Sequence, residues 1–87
     1  MEFGCNQIVV LRNGVIGVVA CFNGRPFQLV FKSYTNPIGR YDSELKNKNN
    51  NYDVVEIFDG STIENVLDVF KSKFTTEGLE RIWKRDE

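Results

Sequence analysis

Histidine is missing from all 87 residues of the chain. Its absence excludes imidazole-based acid–base catalysis, Ser-His-Asp triads and Cys-His pairs. It also removes the commonest nitrogen ligand for metals. Cysteine is scarce. Cys5 and Cys21 are the whole supply, too few for a zinc site or a disulfide framework. Cys21 lies in an apolar run, where a free thiol behaves as a small hydrophobe. Cys5 has no neighbour in sequence that would activate it. There is no phosphate-binding loop, since neither Gly14 nor Gly17 is followed by Lys-Ser/Thr. No apolar run reaches membrane-spanning length. The opening Met1-Glu2-Phe3-Gly4 has neither the basic region nor the apolar region of a signal peptide. The expected location is therefore a cytoplasm, with both thiols reduced.

Net charge is also small, at −1, with a sequence pI near 5.4. A nucleic-acid-binding domain commonly has a pI above about 9 and a clustered basic patch. The charge is unevenly divided. Residues 1–40 carry Arg12, Arg25, Lys32 and Arg40 against Glu2 alone. Residues 41–87 carry seven Lys/Arg against eleven Asp/Glu. Asp42/Glu44 and Asp53/Glu56 are conceivable acid–base pairs, but charges on loops and outward strand positions usually form a solvated face. The expectation is a chain with no catalytic residue, no metal and no cofactor.

What is present is β-rich. Runs at 7–12, 15–22 and 26–33 are separated by Asn13-Gly14 and Asn23-Gly24. Asn-Gly is the strongest short-range hairpin signal, because a type I′ turn needs positive φ at both central residues. The three runs predict a meander. In the third, Phe27, Leu29 and Phe31 share one face. The second is apolar on both faces, so it should be central and covered on both sides. Gly17 at its middle suggests a bulge or bend. A fourth strand is expected at 52–58. Ser61-Thr62-Ile63-Glu64 has capping-box spacing, and Ile63, Val66, Leu67, Phe70 and Phe74 follow at helical spacing. Together they predict an amphipathic helix over 62–73. Residues 34–51 have no period and read as a long loop, with Asn47–Asn51 a solvated connector. Residues 79–85 fit either a helical turn or a closing strand, and Trp83 is expected to pack on Ile63 or Val66.

The stretch 8–19, Ile-Val-Val-Leu-Arg-Asn-Gly-Val-Ile-Gly-Val-Val, resembles the opening of KOW- or Tudor-type SH3-like barrels. The chain also resembles small uncharacterised bacteriophage and prophage proteins. That likeness rests on residues 11–19, 41–47, 52–58 and Ile82-Trp83-Lys84-Arg85. It implies one domain over 1–87: a β-rich α+β fold, with a small SH3-like bent antiparallel sheet or barrel of 4–5 strands and one helix. It favours 79–85 as a closing strand and implies no catalytic residue. The chain lacks the basic loop set by which true KOW motifs bind RNA.

Three functions are compatible with these residues. The first is a non-enzymatic protein–protein interaction module, such as a phage-encoded inhibitor of a host protein (an anti-CRISPR, for example). Its candidate surface is Tyr34, Arg40, Tyr41, Asp42 and Glu44, an aromatic-plus-arginine composition that interfaces favour. The simpler alternative is that both tyrosines pack their rings beneath the loop. The second is a nucleic-acid-binding module using Arg12, Arg25, Lys32 and Arg40, with Tyr34 and Tyr41 as stacking platforms. The third is an assembly protein that self-associates through an open sheet edge at 26–33.

Overall fold

A computed structural model describes residues 2–86. Six strands form one antiparallel sheet: β1 (Ile8–Leu11), β2 (Ile16–Phe22), β3 (Arg25–Val30), β4 (Thr35–Pro37), β5 (Val54–Phe58) and β6 (Arg81–Lys84). Their spatial order is β4-β3-β2-β1-β5-β6. The meander thus runs outward from β1 to β4. The chain then returns to place β5 on the other side of β1, and β6 follows at the far edge. The sheet stays open, with β4 and β6 as its edges, so the expected barrel does not close. The expected 26–33 edge is largely occupied as well. β4 pairs with Gln28, Leu29 and Val30, leaving only Arg25–Phe27 uncovered.

Both faces of the sheet are apolar and both are covered. One carries Val9, Leu11, Val19, Leu29 and Phe31, packed with Val54, Ile57 and Leu45. The other carries Ile8, Val18 and Phe58, packed with Val69. Strand pleating explains the division, since neighbouring residues of β1 and β2 point to opposite faces. The register matches like with like. Val19 faces Leu29 and Val9 faces Ile57 on the first side, and Ile8 faces both Val18 and Phe58 on the second. Residues 38–52 supply Ile38, Tyr41, Leu45 and Tyr52 to the first cover. Residues 63–79 supply Ile63, Val69, Phe70, Phe74 and Leu79 to the second.

The two Asn-Gly turns differ. Asn23 and Gly24 both have positive φ, at 51° and 75°, as a type I′ turn requires. At the first turn only Gly14 does, at 88°. There the Gly14 N–H donates to the Leu11 carbonyl and the Leu11 N–H to the Val15 carbonyl. This is the longer hairpin loop that ends on a left-handed glycine.

The expected helix over 62–73 does not form. Only a short 3₁₀ turn, Val66–Phe70, is present. The competing signal is local. Asp59 accepts a hydrogen bond from the Ser61 N–H, closing a turn ahead of the expected start, and Asn65 accepts one from the Leu67 N–H as the cap of the 3₁₀ turn, so helical structure begins only at Val66. Thr62, Ile63, Val66 and Val69 add β-branched residues that lose side-chain freedom in a helix. The helical stripe therefore splits, with Ile63, Phe70 and Phe74 packed on the sheet and Val66 and Leu67 exposed. Trp83 packs on the opposite face from Ile63, within the Val9–Ile57 cluster. Residues 81–84 are the last strand.

Cys5 and Cys21 form a disulfide. The expectation of two reduced thiols is thus corrected. The pairing was hidden because their proximity depends on β1 and β2 being in register. A disulfide is unusual for a cytoplasmic protein. No helix among the described residues is long and apolar enough to cross a membrane.

Gly17 is explained by its neighbour. A Cβ there would sit 2.5 Å from the Phe31 ring and 2.7 Å from the Val30 carbonyl oxygen. The bare backbone lets β3's extension lie across β2. Gly17→Ala should therefore lower stability by about 1–3 kcal/mol through overpacking, measured by urea unfolding. Adding Phe31→Leu should recover only part of the loss, because the backbone clash with Val30 persists.

Candidate functional site

The segment 34–53 is ordered by polar anchors, and Asp53 is the main one. Its side chain is buried. One carboxylate oxygen accepts the Asn47 N–H at 2.8 Å. The other is paired with the Arg12 guanidinium at 3.0 Å. Arg12 also donates from its side chain to the Asn50 carbonyl and from its backbone to the Asp53 carbonyl. At the other side of the segment, Arg85 donates from its guanidinium to the carbonyls of Glu44 and Val54 and lies over the Trp83 ring at 5.2 Å. Two arginines thus clamp one segment by its backbone.

Within that segment short side chains close successive turns. Asp42 accepts from the Glu44 and Lys46 N–H groups, Asn47 from Asn49, and Asn49 from Asn51. These are Asx turns. The expected solvated connector is therefore a folded strip. Asp42-Ser43-Glu44-Leu45 is a turn, in which Leu45 takes a left-handed φ of 62° and buries its side chain.

The structure separates the residues expected to form a surface. Tyr41 is half-buried and held by its hydroxyl. Its hydroxyl donates to the Tyr52 carbonyl at 2.9 Å and accepts from Asn36 at 3.2 Å, and its ring meets Phe3 edge-on. Burial raises its pKa above the usual tyrosine value, against the lowering effect of the Asn36 and Asn47 hydrogen bonds. Tyr34 stacks on Phe31 with centroids 4.8 Å apart and leans toward Tyr52, leaving one side exposed. Its pKa is also raised, mainly by desolvation. Arg40, Tyr41 and Asp42 border one open cleft of about 320 Å³, together with Lys46 and Lys48. Glu44 lies at another, beside Trp83 and Arg85. Glu44 and Lys46 form an exposed ion pair at 3.4 Å, a type worth little. Tyr34 borders neither cleft.

Asp53 and Glu56 are engaged by different partners, Asp53 by Arg12 and Glu56 by Arg81 at 3.4 Å. No group of three or more Cys, Asp or Glu side chains could hold a metal ion among the described residues.

A different surface is conspicuous. Phe22 is 69% exposed and Phe27 46% exposed, and their rings meet edge-to-face at 6.4 Å. Both flank the Asn23-Gly24 turn. The sequence places Phe27 on the Leu29 and Phe31 face, but a bulge intervenes. Ala20 pairs with Gln28 and Cys21 with Pro26, so Phe27 has no partner across the ladder. The extra residue breaks the alternation and turns the ring toward Phe22. Ile82 is the extra residue of a similar irregularity between β5 and β6, and it too is exposed. Proline at position 26, which cannot donate to a ladder, is the one sequence signal of the first bulge.

Two measurements test this description. Asp53→Ala should cost about 2 kcal/mol, because Arg12 and the Asn47 N–H both lose an acceptor. Asp53→Asn, which keeps an acceptor for Asn47, should cost less by thermal unfolding. Asp42 should titrate below the ordinary carboxylate range, first because the Lys46 N–H donates to it. A depressed folded pKa contributes stability above the unfolded pKa, and that contribution is lost as pH falls through the folded value. Carboxyl NMR should therefore place the Asp42 midpoint below the ordinary aspartate value, and a midpoint at that value would refute the turn geometry.

No protein-family model matches the chain, and neither a curated protein nor a solved structure does.

Proposed function

We propose that the chain is a non-enzymatic protein-binding module that docks through the β2–β3 hairpin. The observation that carries this reading is the exposed Phe22–Phe27 pair. Burying a phenylalanine side chain is worth roughly 1.5–3 kcal/mol. Two such rings held in water beside a tight turn therefore offer a large gain to any partner that covers them. Aromatic anchors of this kind dominate interface energetics. Arg25 stands opposite Phe22 in the register and supplies a cation at the same tip. The expected surface at Tyr34, Arg40, Asp42 and Glu44 becomes secondary, since its members are dispersed and the Tyr41 hydroxyl is committed to Tyr52 and Asn36.

The resemblance of residues 11–19, 41–47, 52–58 and 82–85 to phage proteins suggests a setting, that of a phage-encoded inhibitor of a host protein such as an anti-CRISPR. The nucleic-acid reading has less support. Arg12 is tied to Asp53 and Asn50, and Tyr41 is held by hydrogen bonds within the loop, so the stacking platform is incomplete.

A crosslinking pull-down from host lysate tests the reading. The wild-type chain should retain a stoichiometric protein partner, and Phe22→Ser/Phe27→Ser should lose it while unfolding within a few degrees of wild type. Retardation of DNA or RNA at low salt that survives the double substitution would overturn the proposal.

A further inference from the structure

The disulfide ties the segment ahead of β1 to the end of β2. Residues 2–6 precede β1, and no buried core side chain lies among them. Phe3 packs against the Val9–Ile57 cluster, the Asn6 carbonyl lies close against Gly60, and further contacts join the segment to the body of the protein. Phe3 meets the edge of the Tyr41 ring at 5.6 Å. The Asn6 N–H donates to the Val19 carbonyl across a long 3.3 Å. Cys5 is bonded to Cys21. Two further bonds close the segment's own turn: the Gly4 N–H donates to the Gln7 side chain and the Gln7 N–H to the Gly4 carbonyl. The regular ladder begins beyond them, where the Val19 N–H donates to the Gln7 carbonyl at 2.9 Å.

Beneath the segment lies an open cleft of about 520 Å³. Its apolar walls are Phe3, Pro26, Ile38 and Tyr41, with Glu2 and Asp42 at the rim. The segment contributes Glu2 and Phe3 to that lining. Moving it would uncover the side of the Tyr41 ring that Phe3 meets. The disulfide is reachable, because Cys5 is exposed and Cys21 half-buried.

We propose that the Cys5–Cys21 disulfide is a redox latch, whose reduction by a dithiol frees residues 2–6 and removes the Glu2–Phe3 wall of this cleft while the six-stranded sheet stays folded. The chemistry is thiol–disulfide exchange. A thiolate of the dithiol attacks the exposed Cys5 sulfur, the S–S bond breaks, and Cys21 leaves as a thiolate that takes up a proton. The second thiol of the reagent then attacks the mixed disulfide and releases Cys5. The protein gains two electrons and two protons, and the dithiol becomes a cyclic disulfide. The latch would stand open in a reducing compartment and closed in an oxidising one.

Amide hydrogen exchange on the intact chain, with and without dithiothreitol, tests the latch. In the reduced protein, exchange at the hydrogen-bonded Gly4 and Asn6 amides should be at least about tenfold faster. Protection at Ile8, Val9, Val19 and Ile57 should stay within about twofold of the oxidised protein. Cys5→Ser/Cys21→Ser should reproduce the reduced pattern without reagent. Unchanged exchange at Gly4 and Asn6 would sink the proposal. So would loss of protection across the sheet on reduction, or a double variant that does not fold. Either result would make the disulfide a staple of the whole fold.

Discussion

One buried carboxylate holds the architecture together. Asp53 immediately precedes β5, and its two oxygens are taken by groups from different parts of the chain: the Arg12 side chain at the first hairpin and the Asn47 backbone in the long segment. A buried carboxylate without partners is strongly destabilising. Its position therefore constrains both. The start of β5 must lie against the β1–β2 turn, and residues 42–52 must fold back over the Val9–Ile57 face. Leu45 and Tyr41 then complete that core. The same docking brings the Asn13 N–H to the Asn51 carbonyl, so hairpin loop and long segment cover each other's polar groups.

The strands β1, β2, β3 and β5 were legible because their signals are local, whereas β4 falls in the 34–51 stretch read as a loop and makes the sheet six-stranded where four or five strands were expected. β-branched runs, alternation and Asn-Gly turns all act within a few residues, and β2's two apolar faces correctly implied a covered central strand. The helix over 62–73 misread a real apolar stripe. Period alone did not weigh Asp59, whose side chain closes a turn ahead of it, or Asn65, whose side chain caps the 3₁₀ turn. The disulfide and the Arg12–Asp53 pair were invisible for a different reason. Each joins residues that meet only once β1 has been placed between β2 and β5.

The candidate surface was partly legible. Tyr34 and Tyr41 are large rings of the long segment, and Tyr41 has its ring against Phe3 and its hydroxyl bonded to Tyr52 and Asn36. Phe22 and Phe27 went unnoticed because they sit in runs that read as core. Their exposure comes from the bulge in β3 and from the end of β2 projecting past the cover. Bulges are positional features of a paired ladder, and a single strand's sequence carries little trace of them beyond Pro26.

The Asx turns carry a lesson about what the asparagine-rich tract encodes. Asn13, Asp42, Asn47, Asn49, Asp59 and Asn65 each accept from the backbone N–H two residues ahead. Six separate bends thus use one device. The trait they share is reach more than polarity, since the oxygen must sit two bonds beyond Cβ to meet that N–H. Glutamine or glutamate would keep the chemistry and overshoot the distance by a methylene. What looks like a low-complexity stretch is in effect a ruler, and its apparent redundancy is a requirement on side-chain length repeated at each corner of the chain.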